Sequence, residues 1–370
     1  MLTNISLALL LAISKIINQT QIFNILYLPF LIYIFFSNKS SFFLRNISLK
    51  FLIGNTIIII FSYFIFRNIE YSFMVLILKS ISLSAFYLAL FGILPINLEV
   101  FKSLRLSIFI SFFAIFFIFD PPTIFRYSAD KDTFINSIGL FNSFSLSGLF
   151  PTSFYFAQLL TAYIIYLNSF SIKDNSQKII SFLPNLANKI LLTIFLIFTN
   201  RKAFLFSLII YPTYKYLLVF IQIARTKLIE KKVLLVALIS AIFGLIGYFA
   251  LYFGTQNIDY DIFYIINETI QRINFYSNWA INPDEFVFAE TGIMTINKIG
   301  GYFLYSLTII LLIVSLLISL SKIKINSIIN FILAYSLIFL FLFKEAATIF
   351  SPSPASLLIC MMVSYLIRTI

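Results

Sequence analysis

The sequence predicts an all-α polytopic membrane protein of about twelve transmembrane helices, with both termini cytoplasmic and one long extracytoplasmic loop. Three observations predict it. Of 370 residues, 61% are hydrophobic and 11% charged, and mean hydropathy is +1.01, more apolar surface than a water-facing globule can bury. Apolar runs recur along the chain at lengths near the roughly 20 residues that cross a hydrocarbon core. Cations also gather in alternate loops, as the positive-inside rule requires.

The runs fall near 2–17, 22–36, 51–66, 71–94, 104–119, 149–167, 188–200, 203–221, 233–253, 302–320, 325–343 and 350–367. The first run lacks a basic n-region and a small-residue cleavage site, so it is expected to stay as a helix. The whole chain then forms one transmembrane domain. With both termini inside, the cytoplasmic segments are those around 37–50, 95–103, 168–189, 222–232 and 321–324, with the C-terminus. Together with Arg105, they hold 15 of the 26 Lys and Arg, against only Glu99, Asp174 and Glu230. These segments account for the whole formal charge of +12. A nucleic-acid partner therefore loses its main support, and the lipid bilayer is the expected surrounding.

Two outer loops have real size, 120–148 and 254–301. The second carries Asp259, Asp261, Glu268, Arg272, Asp284, Glu285, Glu290 and Lys298, with the only tryptophan, Trp279. Phe263, Ile266, Ile270 and Ile273 recur there at helical spacing, which predicts a short helix lying on the membrane surface. Long charged loops between apolar helices are where chemistry on the aqueous side belongs.

Residue types limit that chemistry. Histidine is absent and Cys360 is the only cysteine. Intrachain disulfides and cysteine-based metal sites are excluded, and proton transfer falls to a carboxylate, Lys or Tyr. "ADKD" (129–132) and "DYD" (259–261) have the D-x-D form that can hold a divalent cation. Such pairs are common in solvated loops and need several further oxygen ligands, so no metal is expected.

Of eight arginines, Arg45, Arg105, Arg225 and Arg368 lie on the inner side, and Arg67, Arg126, Arg201 and Arg272 on the outer. Outward guanidiniums near a membrane surface suit phosphate oxygens through paired hydrogen bonds. Arg201 and Lys202 stand between two apolar runs, where snorkelling to the headgroups is the plain alternative. A helix starting at Ala203 would add its positive end to the same spot. Lys79 and Lys215 fall inside apolar runs, Lys215 just after Pro212, and each either faces a cavity or snorkels. Lys344 and Glu345 read as a surface pair.

Three segments carry a resemblance: "SGLFPTSFYFAQLLTAYIIY" (147–166), "FTNRKAFLFSLII" (198–210) and "AETGIMTINKIGGYFLYSLTIILLI" (289–313). In order and spacing they resemble the bacterial O-antigen polymerase (Wzy) and O-antigen ligase superfamily. The first looks like its S-G-[LI]-F segment, with Pro151 and Thr152 where an acidic or Asn-Pro pair often follows. The second is similar to its T-x-S-R-x-A/G junction, with Arg201 at the arginine and Asn200 where serine is frequent. The third resembles its D/E-x-G…G-x-x-G-F-x-L-Y pattern, with Glu290, Gly292 and Gly300 or Gly301 at the matching places.

The resemblance implies a polymerase that joins oligosaccharide repeat units carried on undecaprenyl pyrophosphate at the periplasmic face of the inner membrane. It implies no cofactor, and among partners it allows a chain-length regulator. Arg201 would stabilise the leaving pyrophosphate, with Arg272, Arg126 and Lys202 beside it. Glu290 would be the base that takes the acceptor proton, with Glu268 and Asp284 in reserve. Arg67 and Lys215 complete the expected substrate-binding set. Glu268 and Arg272 are four apart and could instead pair along one helical face. A ligase of the superfamily typically uses a loop histidine, absent here, which favours the polymerase. A flippase explains the helix count but not a long outer loop.

Overall fold

The computed structural model describes residues 26–36, 42–66, 73–97, 99–112, 126–128, 144–150, 152–169, 185–199, 292–323, 327–343 and 352–370. Nine helices lie among them: α1 (Tyr27–Phe36), α2 (Phe42–Phe66), α3 (Phe73–Leu90), α4 (Glu99–Ser111), α5 (Ser153–Ser169), α6 (Asn185–Phe198), α7 (Gly292–Lys322), α8 (Ile328–Phe343) and α9 (Pro354–Arg368). Each grows from one of the apolar runs. The runs at 2–17, 203–221 and 233–253 lie outside the described residues, as does the loop at 254–291.

Local chemistry sets several boundaries. α3 stops at Gly92, whose φ of 67° is open to glycine. The Gly92 N–H donates to the Ala89 carbonyl at 3.0 Å and the Ile93 N–H to Leu88 at 2.9 Å, the Schellman closure of a helix C-terminus. α9 starts with Ser353 as N-cap, a reciprocal capping box with Ser356, and Pro354 in the first turn, where a missing N–H costs nothing.

Two helix starts and one pair of strands depart from expectation. α2 begins at Phe42, inside the segment expected as a loop, because nothing between Phe42 and Phe66 breaks a helix. α7 begins at Gly292, ten residues before the run at 302–320. The fold is also not purely helical, since β1 (Arg126–Ser128) pairs antiparallel with β2 (Phe144–Leu146), Arg126 opposite Leu146. Three-residue strands are too short for their alternation to stand out in sequence.

α9 is the hub. It packs against α5, α3, α8 and α1, and twelve of its fifteen residues are buried, from Pro354 through to Leu366. A helix apolar on every side belongs in an interior. α2 and α7 do the reverse. They are long and apolar enough to cross a membrane, yet only 22% and 28% of their most apolar windows are buried. Ile57, Phe61, Phe64, Ile310, Ile313 and Leu317 point outward. A soluble protein does not usually leave so large a contiguous apolar face exposed.

Side-chain bonds fix the helix directions. Arg368 donates from Nε and Nη2 to the Gly92 carbonyl, at 3.0 and 2.7 Å, and from Nη2 to Leu94 at 3.2 Å. Ser364 reaches the Leu94 carbonyl, Ser48 that of Ile93, and Tyr365 that of Ser169. Ser327 and Asn330 hold Ile370 and Thr369. One end of the bundle thus gathers the starts of α2 and α8 and the ends of α3, α5 and α9. Further in, Tyr87 Oη lies 2.5 Å from Thr308 Oγ1, and Ser315 donates to the Leu90 carbonyl. α7 therefore runs in the same direction as α3. Tyr335 lies 2.8 Å from Ser315 and donates to Ser319 at 2.9 Å, which closes a polar seam between α7 and α8 inside apolar packing.

Candidate functional site

The end opposite Arg368 is where the described part of each of the three resembling segments begins. α5 and α9 pack along each other, and the Tyr365–Ser169 bond ties their C-terminal ends. Their N-termini, at Ser153 and Pro354, are therefore side by side. Hydroxyl groups cap both: the Tyr155 N–H donates to Thr152 Oγ1 at 3.3 Å, and Ser353 and Ser356 cap α9. Neither helix has a carboxylate in its first turn. Both helices turn their positive ends this way with no acid in their own first turns, an arrangement that suits anionic groups.

The turn at 147–150 is buried against this end. The Leu149 N–H donates to Ser111 Oγ at 3.1 Å, and Ser111 donates to the Ser107 carbonyl at 2.7 Å. Gly148 has φ +55°, and a Cβ there would overlap Ser111 Oγ and Cβ. Behind the turn, Phe150 stacks on Phe156 with ring centroids 5.5 Å apart. Phe156 meets Phe195 edge-on at 6.5 Å, and Phe195 stacks on Phe112 at 4.3 Å. The aromatic chain joins the ends of α4, α5 and α6 that lie away from Arg368.

α6 ends one turn beyond Phe195. The Thr199 N–H donates to Phe195 and Leu196 carbonyls, and Thr199 Oγ1 closes on Leu196 at 2.7 Å. The S-G-L-F turn and Thr199, the second residue of the second segment, therefore lie at one end, although 48 positions separate Ser147 from Phe195. The third segment enters at the same end, because α7 runs parallel to α3, and α3 has its C-terminus at Arg368.

Of the site residues read from sequence, Arg126 is placed by its backbone in β1, opposite Leu146 and so beside the 147–150 turn. Arg67, Arg201, Lys202, Lys215, Glu268, Arg272, Asp284 and Glu290 lie outside the described residues, as do Lys344 and Glu345. Lys79 is half-buried on α3. Among the described residues the only carboxylate is Glu99, in the first turn of α4, and no group of three or more His, Cys, Asp or Glu comes together.

Sequence reasoning missed the small polar side chains under the turn. Ser107, Ser111, Ser147, Ser153, Gln158, Thr161 and Thr199 are all buried. The signal was available in Ser107 and Ser111, four apart in an apolar run and so on one helical face. No family model matches the chain, and no curated protein or solved structure does either.

Proposed function

We propose that the chain is a multi-pass membrane glycosyltransferase, a polymerase of an O-antigen or related surface glycan. It lengthens the glycan by joining oligosaccharide units carried on undecaprenyl pyrophosphate. What supports the reading is that the three segments resembling the polymerase and ligase superfamily supply the 147–150 turn, Thr199 and the start of α7, all at one end of the bundle. In this reading that end faces the periplasm, and the Arg368 end faces the cytoplasm with the basic loops.

The reaction needs no nucleotide. The bond between the donor sugar's anomeric carbon and pyrophosphate breaks, and a bond from an acceptor hydroxyl oxygen to that carbon forms. The hydroxyl proton passes to a carboxylate, assigned to Glu290, and the lipid pyrophosphate leaves with its electron pair. Arg201, with Arg272, Arg126 and Lys202, stabilises the charge that develops on the leaving group, and the helix ends of α5 and α9 add to the same field.

The test is a gel of surface glycans from a host lacking the gene, then from one carrying Arg201→Ala. A polymerase predicts loss of the ladder in both, with a single repeat unit still joined to its final acceptor. Loss of single units as well would reassign the chain to a ligase or a flippase. A normal ladder with Arg201→Ala would sink the assignment of Arg201.

A further inference from the structure

α7 is two helices joined at a break. Gly300 has φ −130° and ψ 19°, and Gly301 has φ 59° and ψ −159°, a conformation that essentially only glycine holds. Both glycines are buried. Backbone groups released by a break near the hydrocarbon are tolerated where protein covers them. A Gly-Gly pair is also a recognised cause of a sharp kink.

The two parts are fastened differently. Beyond the break, the apolar span Gly300–Lys322 has 23 residues, about 35 Å of helix, enough by itself to cross a core of about 30 Å. It is bolted to its neighbours through Thr308 on Tyr87, Ser315 on Leu90, and Ser319 on Tyr335. The part before the break, 292–299, lies past the span. Ile293 and Ile296 sit in the hydrophobic core, three apart on one face, and Gly292 and Thr295 are buried with them.

We propose that Gly300–Gly301 is a hinge, and that residues 292–299 are a cover docked through Ile293 and Ile296 over the Ser153 end of the bundle. Hinges are a few positions that absorb a large change in φ and ψ while rigid parts move around them. Here the rigid part is the bolted span, and the moving part is a two-turn helix held in the core through Ile293 and Ile296. That the cover admits a lipid-linked glycan rests on the polymerase reading; the hinge does not.

The test uses the full-length protein in detergent. The single cysteine, Cys360, is buried, so the parent protein should label slowly with a maleimide. Ile296→Cys is expected to label at least tenfold more slowly than the exposed position Lys322→Cys, by order of magnitude for a docked segment. Adding Gly301→Ala, which cannot keep the break, should raise the Ile296→Cys rate towards that of Lys322→Cys. An Ile296→Cys that labels as fast as Lys322→Cys with Gly301 intact would overturn docking. A rate unchanged by Gly301→Ala would overturn the hinge. Hydrogen exchange of the unmodified protein needs no variant: amides of 292–299 should exchange about tenfold or more faster than those of 305–318, and equal protection would refute the cover. If deleting the gene leaves the glycan ladder intact, the polymerase reading falls, and labelling and exchange still decide the hinge.

Discussion

Replacing Gly148 by alanine tests the turn at the candidate site directly. At φ +55° an L-residue pays about 1–2 kcal/mol that glycine does not. The new Cβ would also overlap Ser111 Oγ and Cβ, and overpacking of this kind costs about 1–3 kcal/mol. Pushing Ser111 aside would break its bond from the Leu149 N–H, worth about 1 kcal/mol. These sum to about 3–6 kcal/mol. At about 2.1 cal/mol/K per residue for the entropy of unfolding, a chain of this length should lose about 4–8 °C in its midpoint. The assay is thermal unfolding in detergent, followed by size-exclusion recovery. Gly148→Ala combined with Ser111→Gly removes the overlap but neither the φ cost nor the loss of the Leu149 bond, so it should recover about a third to a half of the loss, with a coupling above about 1 kcal/mol. A Gly148→Ala protein with a wild-type midpoint would refute the reasoning, and so would a double variant no better than the single one.

Arg368→Ala removes three donors to the Gly92 and Leu94 carbonyls and should destabilise by about 2–4 kcal/mol; Arg368→Lys, lacking the fork, should recover only part of this in the same unfolding assay. Tyr87→Phe leaves Thr308 without its partner across α3 and α7 and should cost about 1 kcal/mol, whereas Tyr87→Phe with Thr308→Val should be closer to neutral in a double-mutant cycle. Leu317 is 59% exposed on α7 and Met361 is fully buried on α9. Leu317→Trp should leave yield and midpoint nearly unchanged, and Met361→Trp should overpack the hub and cost about 1–3 kcal/mol or more, read as loss of monodisperse protein.

Hydropathy made the helices legible, because the length of an apolar run is nearly all that decides whether a spanning helix forms. It could not rank them. The run at 350–367 looked like any other, yet it forms the buried hub, while the runs giving α2 and α7 expose their apolar faces. Lipid tails and protein interiors are both apolar, so mean hydropathy cannot tell one surrounding from the other. Residue size does not separate them either: α9 sets Ala355, Ser356, Cys360 and Ser364 among Leu, Ile and Met side chains, and α7 is as rich in Gly, Ser and Thr. α2 and α7 carry Ile, Phe and Leu outward. The glycine pair at 300–301 was legible as a helix entry. The structure instead places the break inside a helix of 31 residues, because a hydropathy window does not register one change of φ. The meeting of Gly148, Ser111 and Phe195 was not legible at all, since it depends on how α4, α5 and α6 lean together.

The hub position of α9 also bears on biogenesis. α9 follows every other described helix in sequence, so each of its neighbours leaves the ribosome before the element that joins them exists. Until then, the Gly92 and Leu94 carbonyls lack Arg368, and the faces of α3, α5 and α8 that α9 will cover stand open. The late intermediate therefore carries uncovered apolar faces and unpaired carbonyls together, and docking of α9 closes both in one step.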